Sequence, residues 1–231
     1  MPRCVNACAA SGRTALATSV NVVGGSYHAR YTDHPSFIIR HSSFTMRVVA
    51  GVARGAKLKA PAGMRTRPMA DKIKEALFSV LMSLGVEPQR VLDLYAGSGA
   101  VGIEALSRSA EWADFVEQRA DACAVIRENL AHTKFDQISA VHQTTVESFL
   151  ARTPAEPYDF VIMDPPYADL QIGANLERLA HSALVAPGTI IVLGHSPRVI
   201  LPLGLPGLRQ LRQRCHGDSC FAVYEVTEQP S

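Results

Sequence analysis

From residue 90 onward, short apolar runs alternate with segments whose apolar residues recur every three or four positions. The runs predict strands at 90–95, 113–117, 138–143, 158–163 and 188–195, and the periodic segments predict helices at 100–109, 119–132, 145–152 and 173–184. Two further β-like segments, near 208–214 and 220–227, flank His216-Gly217-Asp218. Alternation of this kind implies an α/β fold, with a mostly parallel sheet of seven strands covered by helices on both faces. Ahead of it, Arg47-Val48-Val49-Ala50 and Lys57-Leu58-Lys59-Ala60 flank Gly51 and Gly55, which predicts a β-hairpin. Pro61, Gly63 and Pro68 read as loop. Asp71 then opens a helix whose Ile73, Leu77, Val80, Leu81 and Leu84 share one face, and Gly85 and Pro88 close it.

Three regions follow from this pattern. Residues 1–45 show no sustained periodicity and no acid before Asp33, and they lack a compact signal-type apolar core. They are expected to be mostly disordered, either a targeting extension or the result of a start assigned upstream of Met46. Residues 46–88 form the hairpin and helix, and 89–228 form the main domain. At 231 residues the chain is long enough for a full core, and no apolar run approaches the length of a membrane span.

Charge divides the same regions. Residues 47–74 hold eight Lys or Arg against the single acid Asp71, whereas residues 75–231 hold eleven bases and nineteen acids. A basic arm on an acidic body suits a polyanion, so all eight cations are expected to contact phosphates. Arg54, Lys57, Arg65, Arg67 and Lys72 are the named candidates for substrate binding. The five cysteines, Cys4, Cys8, Cys123, Cys215 and Cys220, show no zinc-type spacing and no even count. They predict free thiols, a cytoplasmic setting and no metal.

The first chemical signal is Val91-Leu92-Asp93-Leu94-Tyr95-Ala96-Gly97-Ser98-Gly99-Ala100-Val101-Gly102, an apolar strand running through a Gly-x-Gly-x-x-Gly turn into a helix. The first two glycines permit a sharp turn and close approach to a ligand, so a bulky side chain at Gly99 is expected to occupy the cofactor's place. Glu117, twenty residues after Gly97 at the end of the next strand, suits the two hydroxyls of a ribose. A nicotinamide dinucleotide fits these features as well. Asp93 distinguishes the two, because a carboxylate there repels a pyrophosphate but accepts hydrogen bonds from an ammonium. S-adenosylmethionine has adenosine, an ammonium and no phosphate.

The second signal is Asp164-Pro165-Pro166-Tyr167, directly after the apolar run Phe160-Val161-Ile162-Met163. The prolines stiffen the loop and remove two donors, and Tyr167 offers a stacking face. A rigid pair of acceptors beside an aromatic ring suits a flat group bearing an NH2, such as a nucleobase. Asp93, Glu117 and Asp164 all fall at strand carboxyl ends, where open sheets of this type bind ligands.

Together these residues resemble the class I S-adenosylmethionine-dependent methyltransferases, with their Rossmann-like fold, and within them the 16S ribosomal RNA (guanine-N2)-methyltransferases of the RsmD type. The resemblance spans about residues 46–228. It is carried by Arg47-Val48-Val49-Ala50-Gly51, Arg54-Gly55, Arg67-Pro68, Asp71 to Phe78, the glycine turn, Glu104-Ala105-Leu106-Ser107-Arg108 and Asp164-Pro165-Pro166-Tyr167. It implies methyl transfer to N2 of a guanine in 16S rRNA, within a 30S subunit or an assembly intermediate, by a monomer. Asp164, Pro165 and Tyr167 would be catalytic, and Asp93, Tyr95, Gly97, Ser98, Gly99, Glu117 and Thr144 would bind the cofactor. The chain departs from the family pattern at Met69 and Ala70, usually threonines, at His142-Gln143-Thr144-Thr145, where an Asn or Asp usually meets the adenine, and at Ser109, usually Gly. Alternatives are an adenine-N6 methyltransferase of DNA or RNA, and a non-catalytic RNA-binding assembly factor of the same fold.

Overall fold

A computed structural model describes residues 46–62, 71–166, 172–199, 201 and 204–228. The 1–45 extension, Arg65, Arg67, Met69, Ala70, Tyr167, Cys4 and Cys8 lie outside the described residues.

The main sheet contains β3 (Arg90–Leu94), β4 (Trp112–Glu117), β5 (Ser139–Gln143), β6 (Tyr158–Met163), β7 (Val185–His195), β8 (Leu208–His216) and β9 (Ser219–Val226). Their spatial order is β5-β4-β3-β6-β7-β9-β8. The first five are mutually parallel, while β9 runs antiparallel between β7 and β8. Chain order reverses at β3, which has β4 on one side and β6 on the other, and this is the switch point at which such sheets bind ligands.

Successive residues of the central strands are buried on opposite faces. Val91, Phe115, Phe160, Ile162, Val192, Phe221 and Val223 belong to one core, and Leu92, Leu94, Val116, Val161, Met163, Ile191 and Leu193 to the other. Two-sided burial explains why these strands read as unbroken apolar runs in the sequence. The first face is packed by α1 (Asp71–Ser83), α2 (Ala100–Ser107) and α3 (Ala120–Thr133), and the second by α4 (Val146–Leu150) and α5 (Ile172–Ala180). A 3-10 turn at Asp136–Ile138, which the periodicity did not predict, links α3 to β5.

The predicted hairpin exists in a shorter form. Strands β1 (Met46–Arg47) and β2 (Lys57–Leu58) pair antiparallel, and Met46, Val48 and Leu58 join the first core. Its turn docks on the end of α2. Val52 N–H donates to the Ser107 carbonyl at 2.8 Å, Ala53 N–H donates to Ser107 Oγ at 3.0 Å, and that hydroxyl donates to the Ala50 carbonyl at 2.6 Å. Gly51 is required there twice over. Its φ is +82°, and a Cβ would lie 1.7 Å from the Ser107 carbonyl oxygen.

One buried carboxylate ties this extension to the domain. Glu104 of α2 accepts from Val49 N–H at 2.7 Å and Ala50 N–H at 2.9 Å, and it pairs with Arg108 at 2.9 Å. Lys74 of α1, equally inaccessible, lies 3.7 Å from Glu104 and donates to the Arg47 carbonyl at 2.6 Å. Desolvation lowers the Lys74 pKa, and the charges of Glu104 and Asp71 oppose that shift. These contacts revise the expectation that all eight arm cations meet phosphates. Lys74 is internal, Arg47 pairs with Asp71 at 3.2 Å, and Lys59 pairs with Glu128 at 2.7 Å. Arg54, Lys57 and Lys72 are exposed and have no acid partner among the described residues.

The expectation of five free thiols is also corrected. Cys215 and Cys220 form a disulfide across the β8–β9 turn, where the ladder sets them opposite each other with Cα atoms 4.0 Å apart. The spacing of five residues brackets a turn the sequence did reveal, but the register that aligns the two sulfurs was not legible. Cys123 is free and buried.

Two outcomes test this packing. Glu104→Ala should destabilise the protein by about 3–5 kcal/mol in denaturant unfolding, because it removes one of the two carboxylates that face the buried Lys74 ammonium and strips two hairpin N–H groups of their acceptor. A loss below about 1 kcal/mol would show the pair to be incidental. Thiol titration of the denatured protein should find two more thiols after reduction than before it, and equal counts would refute the Cys215–Cys220 link.

Candidate active site

The crevice is built at the carboxyl ends of β3, β4 and β6. Asp93, the fourth residue of β3, is 3% exposed, and its Oδ2 accepts from Gly102 N–H at 3.0 Å. Gly102 must lack a side chain for this bond to form, since a Cβ would fall 2.4 Å from the Phe115 ring and 3.1 Å from that same oxygen. Burial raises the Asp93 carboxyl to about 8. The Gly102 bond opposes the shift, while the nearby charges of Asp164 and Glu117 add to it. Asp93 thus lies within electrostatic reach of both Glu117 and Asp164, which end the strands on either side of it.

Glu117, at the end of β4, is half-buried. It accepts from Gly97 N–H at 3.0 Å and from Arg119 N–H at 2.9 Å, so its carboxylate is held against the glycine turn. Tyr95 sits in the same turn with φ +60°, and its hydroxyl accepts from Asn175 of α5 at 2.9 Å. Thr144 follows β5 beside Glu117 and donates its N–H to the Glu117 carbonyl at 3.1 Å. Ser98 is buried, with its hydroxyl on Met46 Sδ at 3.6 Å and its carbonyl accepting from Asn129 Nδ2 at 2.9 Å. That side chain faces the hairpin, not the crevice.

Gly99 has φ +75°, and an added Cβ would press on Ile126 at 3.2 Å and Phe115 at 3.3 Å. The turn's conformation and its close seat on β4 and α3 therefore constrain this position whatever ligand the turn holds.

Asp164 follows β6 on the same face as Asp93, and burial alone raises its carboxyl to about 6. Pro165 is buried and Pro166 exposed. Continuing the β6–β7 register from Met163↔Leu193 sets Asp164 beside Gly194. The fit is tight, because a Cβ on Gly194 would lie 2.2 Å from Asp164 Oδ1 and 2.9 Å from its Cγ. Gly194 is therefore part of the site, and the sequence reading missed it. The one available signal was a glycine interrupting the apolar run Ile190-Ile191-Val192-Leu193 just before a strand end, a place where close approach of another group is common.

Asn129 of α3 was also overlooked. Its amide bonds both the N–H (2.8 Å) and the carbonyl (3.0 Å) of Lys59 as well as Ser98, joining hairpin, turn and helix at one point. Arg54, Lys57 and Lys72, by contrast, lie on the hairpin and α1 with no contact to the crevice acids. Chemically, the site joins a buried carboxyl suited to a cation, a carboxylate held on a glycine turn, and a half-buried acceptor at Asp164.

Comparison with known proteins agrees with this geometry. The family model described as Conserved hypothetical protein 95 matches residues 46–225. YlbH of Bacillus subtilis strain 168 is 33% identical over 182 residues, covering 78% of this chain and 98% of that protein. The Ribosomal RNA small subunit methyltransferase D of Escherichia coli K12 is 30% identical over 180 residues, covering 78% and 89%. Among solved structures, yhhF of Escherichia coli superposes with a TM-score of 0.70 at 30% identity, covering 80% of this chain and 99% of the other. A match of this extent, joined to a seven-stranded methyltransferase sheet, makes the chain a member of the Conserved hypothetical protein 95 (RsmD) family of methyltransferases.

Proposed function

We propose that this enzyme transfers a methyl group from S-adenosylmethionine to the exocyclic N2 of a guanine in small-subunit ribosomal RNA. The observation that carries the reading is the pairing of a buried carboxyl at Asp93 with a half-buried acceptor at Asp164, on adjacent parallel strands and one face of the sheet. A crevice with acids at three strand ends, in which neither Asp93 nor Asp164 has an ion-pair partner among the described residues, fits a donor that carries an ammonium and a sulfonium. It does not fit one that carries phosphates.

In this reading Asp93 receives the ammonium end of the donor, and Glu117 receives its ribose hydroxyls. Tyr95, Gly97, Ser98, Gly99 and Thr144 shape or line the turn around them. The donor supplies an activated methyl on a sulfonium. Guanine N2 is a weak nucleophile because its lone pair is delocalised into the ring. The Asp164 carboxylate and the Pro165 carbonyl accept its two N–H groups, which aims the remaining lone pair and raises its electron density. Alignment at about 3–3.5 Å supplies much of the rate. Tyr167 stacks on a base swung out of its helix, as reading an exocyclic amine requires. Arg54, Lys57, Arg65, Arg67 and Lys72 take the flanking phosphates. Asp164 acts as orienter and acceptor, and the proton leaves to solvent.

Mass mapping of small-subunit rRNA from cells with and without the protein tests the whole reading. A single guanine should lose its N2 methyl in the deletion. A methyl lost from adenine N6, or no change, would overturn the assignment.

Two residue-level outcomes follow. In the free protein Asp93 is protonated below about pH 8, and a docked ammonium requires it ionised. Donor affinity should therefore rise with pH between about 6 and 8, and calorimetry in buffers of different ionisation enthalpy should record proton release on binding. Asp93→Asn should weaken binding and abolish both effects. Affinity that is flat across this range in the wild type would exclude Asp93 as the cation's partner.

Gly194→Ala should displace the Asp164 carboxylate and lower turnover by about a hundredfold while leaving donor affinity intact. Combined with Asp164→Ala it should cost nothing further, since both act on one group. Full additivity of the two losses would show that Gly194 does not act through Asp164.

A further inference from the structure

Three of the eleven bases in the otherwise acidic body fall within the nine residues of β8, Arg209, Arg212 and Arg214, and that strand holds no acid. Arg209 is spent on Glu225 of β9. Arg212 and Arg214 are exposed and have no acid partner among the described residues; each bonds only a carbonyl of its own strand, Leu211 at 2.8 Å and Gln213 at 3.1 Å respectively.

Their placement is set by a bulge. Gln210 pairs with Tyr224, whose side chain belongs to the core on the face away from the crevice, and an unbroken strand would put Arg212 and Arg214 on that same face. The register shifts between Gln210 and Arg212, so that Arg212 pairs with Val223 and Arg214 with Phe221, both in the core on the crevice face. One extra residue, Leu211, turns both guanidinium groups to the side that carries Asp93, Asp164, α1 and the basic hairpin. The row across the sheet then reads Asp164, Gly194, Phe221, Arg214. Arg214 stands two strand spacings, about 10 Å, beyond Gly194.

Charged side chains on an edge strand also discourage pairing with other chains. Either sign on either face serves that purpose. It does not account for a run of one sign, or for a bulge that sends the unpaired members to the crevice face.

We infer that Arg212 and Arg214 form a second phosphate-binding surface for the RNA substrate, on the opposite side of the Asp164 loop from the amino-terminal hairpin. The inference rests on the rRNA methyltransferase reading. It gives the substrate two anchors, with the hairpin cations holding one flank of the target base and the β8 ridge the other. The cross-strand Cys215–Cys220 link closes the β8–β9 turn one residue past Arg214, so the ridge belongs to a tied hairpin and not to a free loop.

Binding of small-subunit rRNA to full-length protein, measured across a salt series, tests this. Relative to wild type, Arg212→Glu/Arg214→Glu should bind at least about tenfold more weakly, with a log–log salt slope shallower by about 2. S-adenosylmethionine affinity should be unchanged, which also certifies the fold. Arg212→Lys/Arg214→Lys should stay near wild type, and Arg212→Gln/Arg214→Gln decides the matter if the charge reversal disturbs folding. Wild-type affinity and slope in the Glu or Gln pair, beside a wild-type protein that binds and methylates rRNA, would overturn the ridge and leave the enzyme reading standing. A wild-type protein that neither binds nor methylates rRNA would overturn both.

Discussion

The parallel pairing of β3 with β6 is the constraint on which the rest depends. It sets Asp93 opposite Ile162, so Asp164 follows two residues further along the neighbouring strand and on the same face. Because the sheet changes direction at β3, the ends of these strands open into a crevice with no crossover helix above it. The two acids thus meet in a low-dielectric site where neither ionises at its ordinary pKa, one rising to about 8 and the other to about 6. On the proposed reading, such shifts are tolerable because a cation binds beside one acid and an amine beside the other. A one-residue slip in β6 would send Asp164 to the opposite face and dissolve the site.

Glu104 gives the amino-terminal extension a fixed relation to that crevice. It lies in α2, the helix that the glycine turn opens, and it accepts two hairpin N–H groups while facing Lys74 of α1. Asn129 repeats the arrangement from α3, bonding Lys59 of the hairpin and Ser98 of the turn through one amide. The segment bearing the exposed cations and the turn bearing the cofactor residues are therefore attached to the same two helices. Buried polar ties of this kind contribute less net stability than apolar packing would, but they fix one docking geometry, because any other leaves a charge unpaired.

Much of this was legible in the sequence. Two-sided apolar runs marked the strands to within three residues, and the carboxyl-end placement of Asp93, Glu117 and Asp164 foretold one crevice. What escaped depends on register or on partners distant in sequence. The helical period sets Lys74 on the apolar face with Leu77, Phe78 and Leu81 and leaves Lys72 outside it, but the carboxylate that Lys74 meets there, Glu104, lies thirty residues on and has no local signature. That Gly99 is also constrained by Phe115 and Ile126 beneath it could not be read from its motif, since both neighbours lie on other elements. Gly194 and the Cys215–Cys220 pair both required knowing which residue lies across the ladder. The bulge at Leu211, which reverses the facing of two arginines, has no signature in a segment as polar as Arg209-Gln210-Leu211-Arg212-Gln213-Arg214.

Electrostatics then explains why the cations lie where they do. On the proposed reading, only the base enters a crevice that takes a cationic donor, and the substrate phosphates are held outside it. At about 0.1 M salt, attraction between exposed charges fades beyond roughly 10 Å. Arg54, Lys57 and Lys72 on the hairpin and α1, and Arg212 and Arg214 on β8, make no ion pair with the three acids, so the cations left open to phosphates do not also hold those carboxyls ionised. On the proposed reading, Asp93 can then answer to the donor and Asp164 to the base. Neither Asp93 nor Asp164 makes an ion pair among the described residues, and an Arg or Lys there would hold Asp93 ionised and occupy the place proposed for the ligand's own charge.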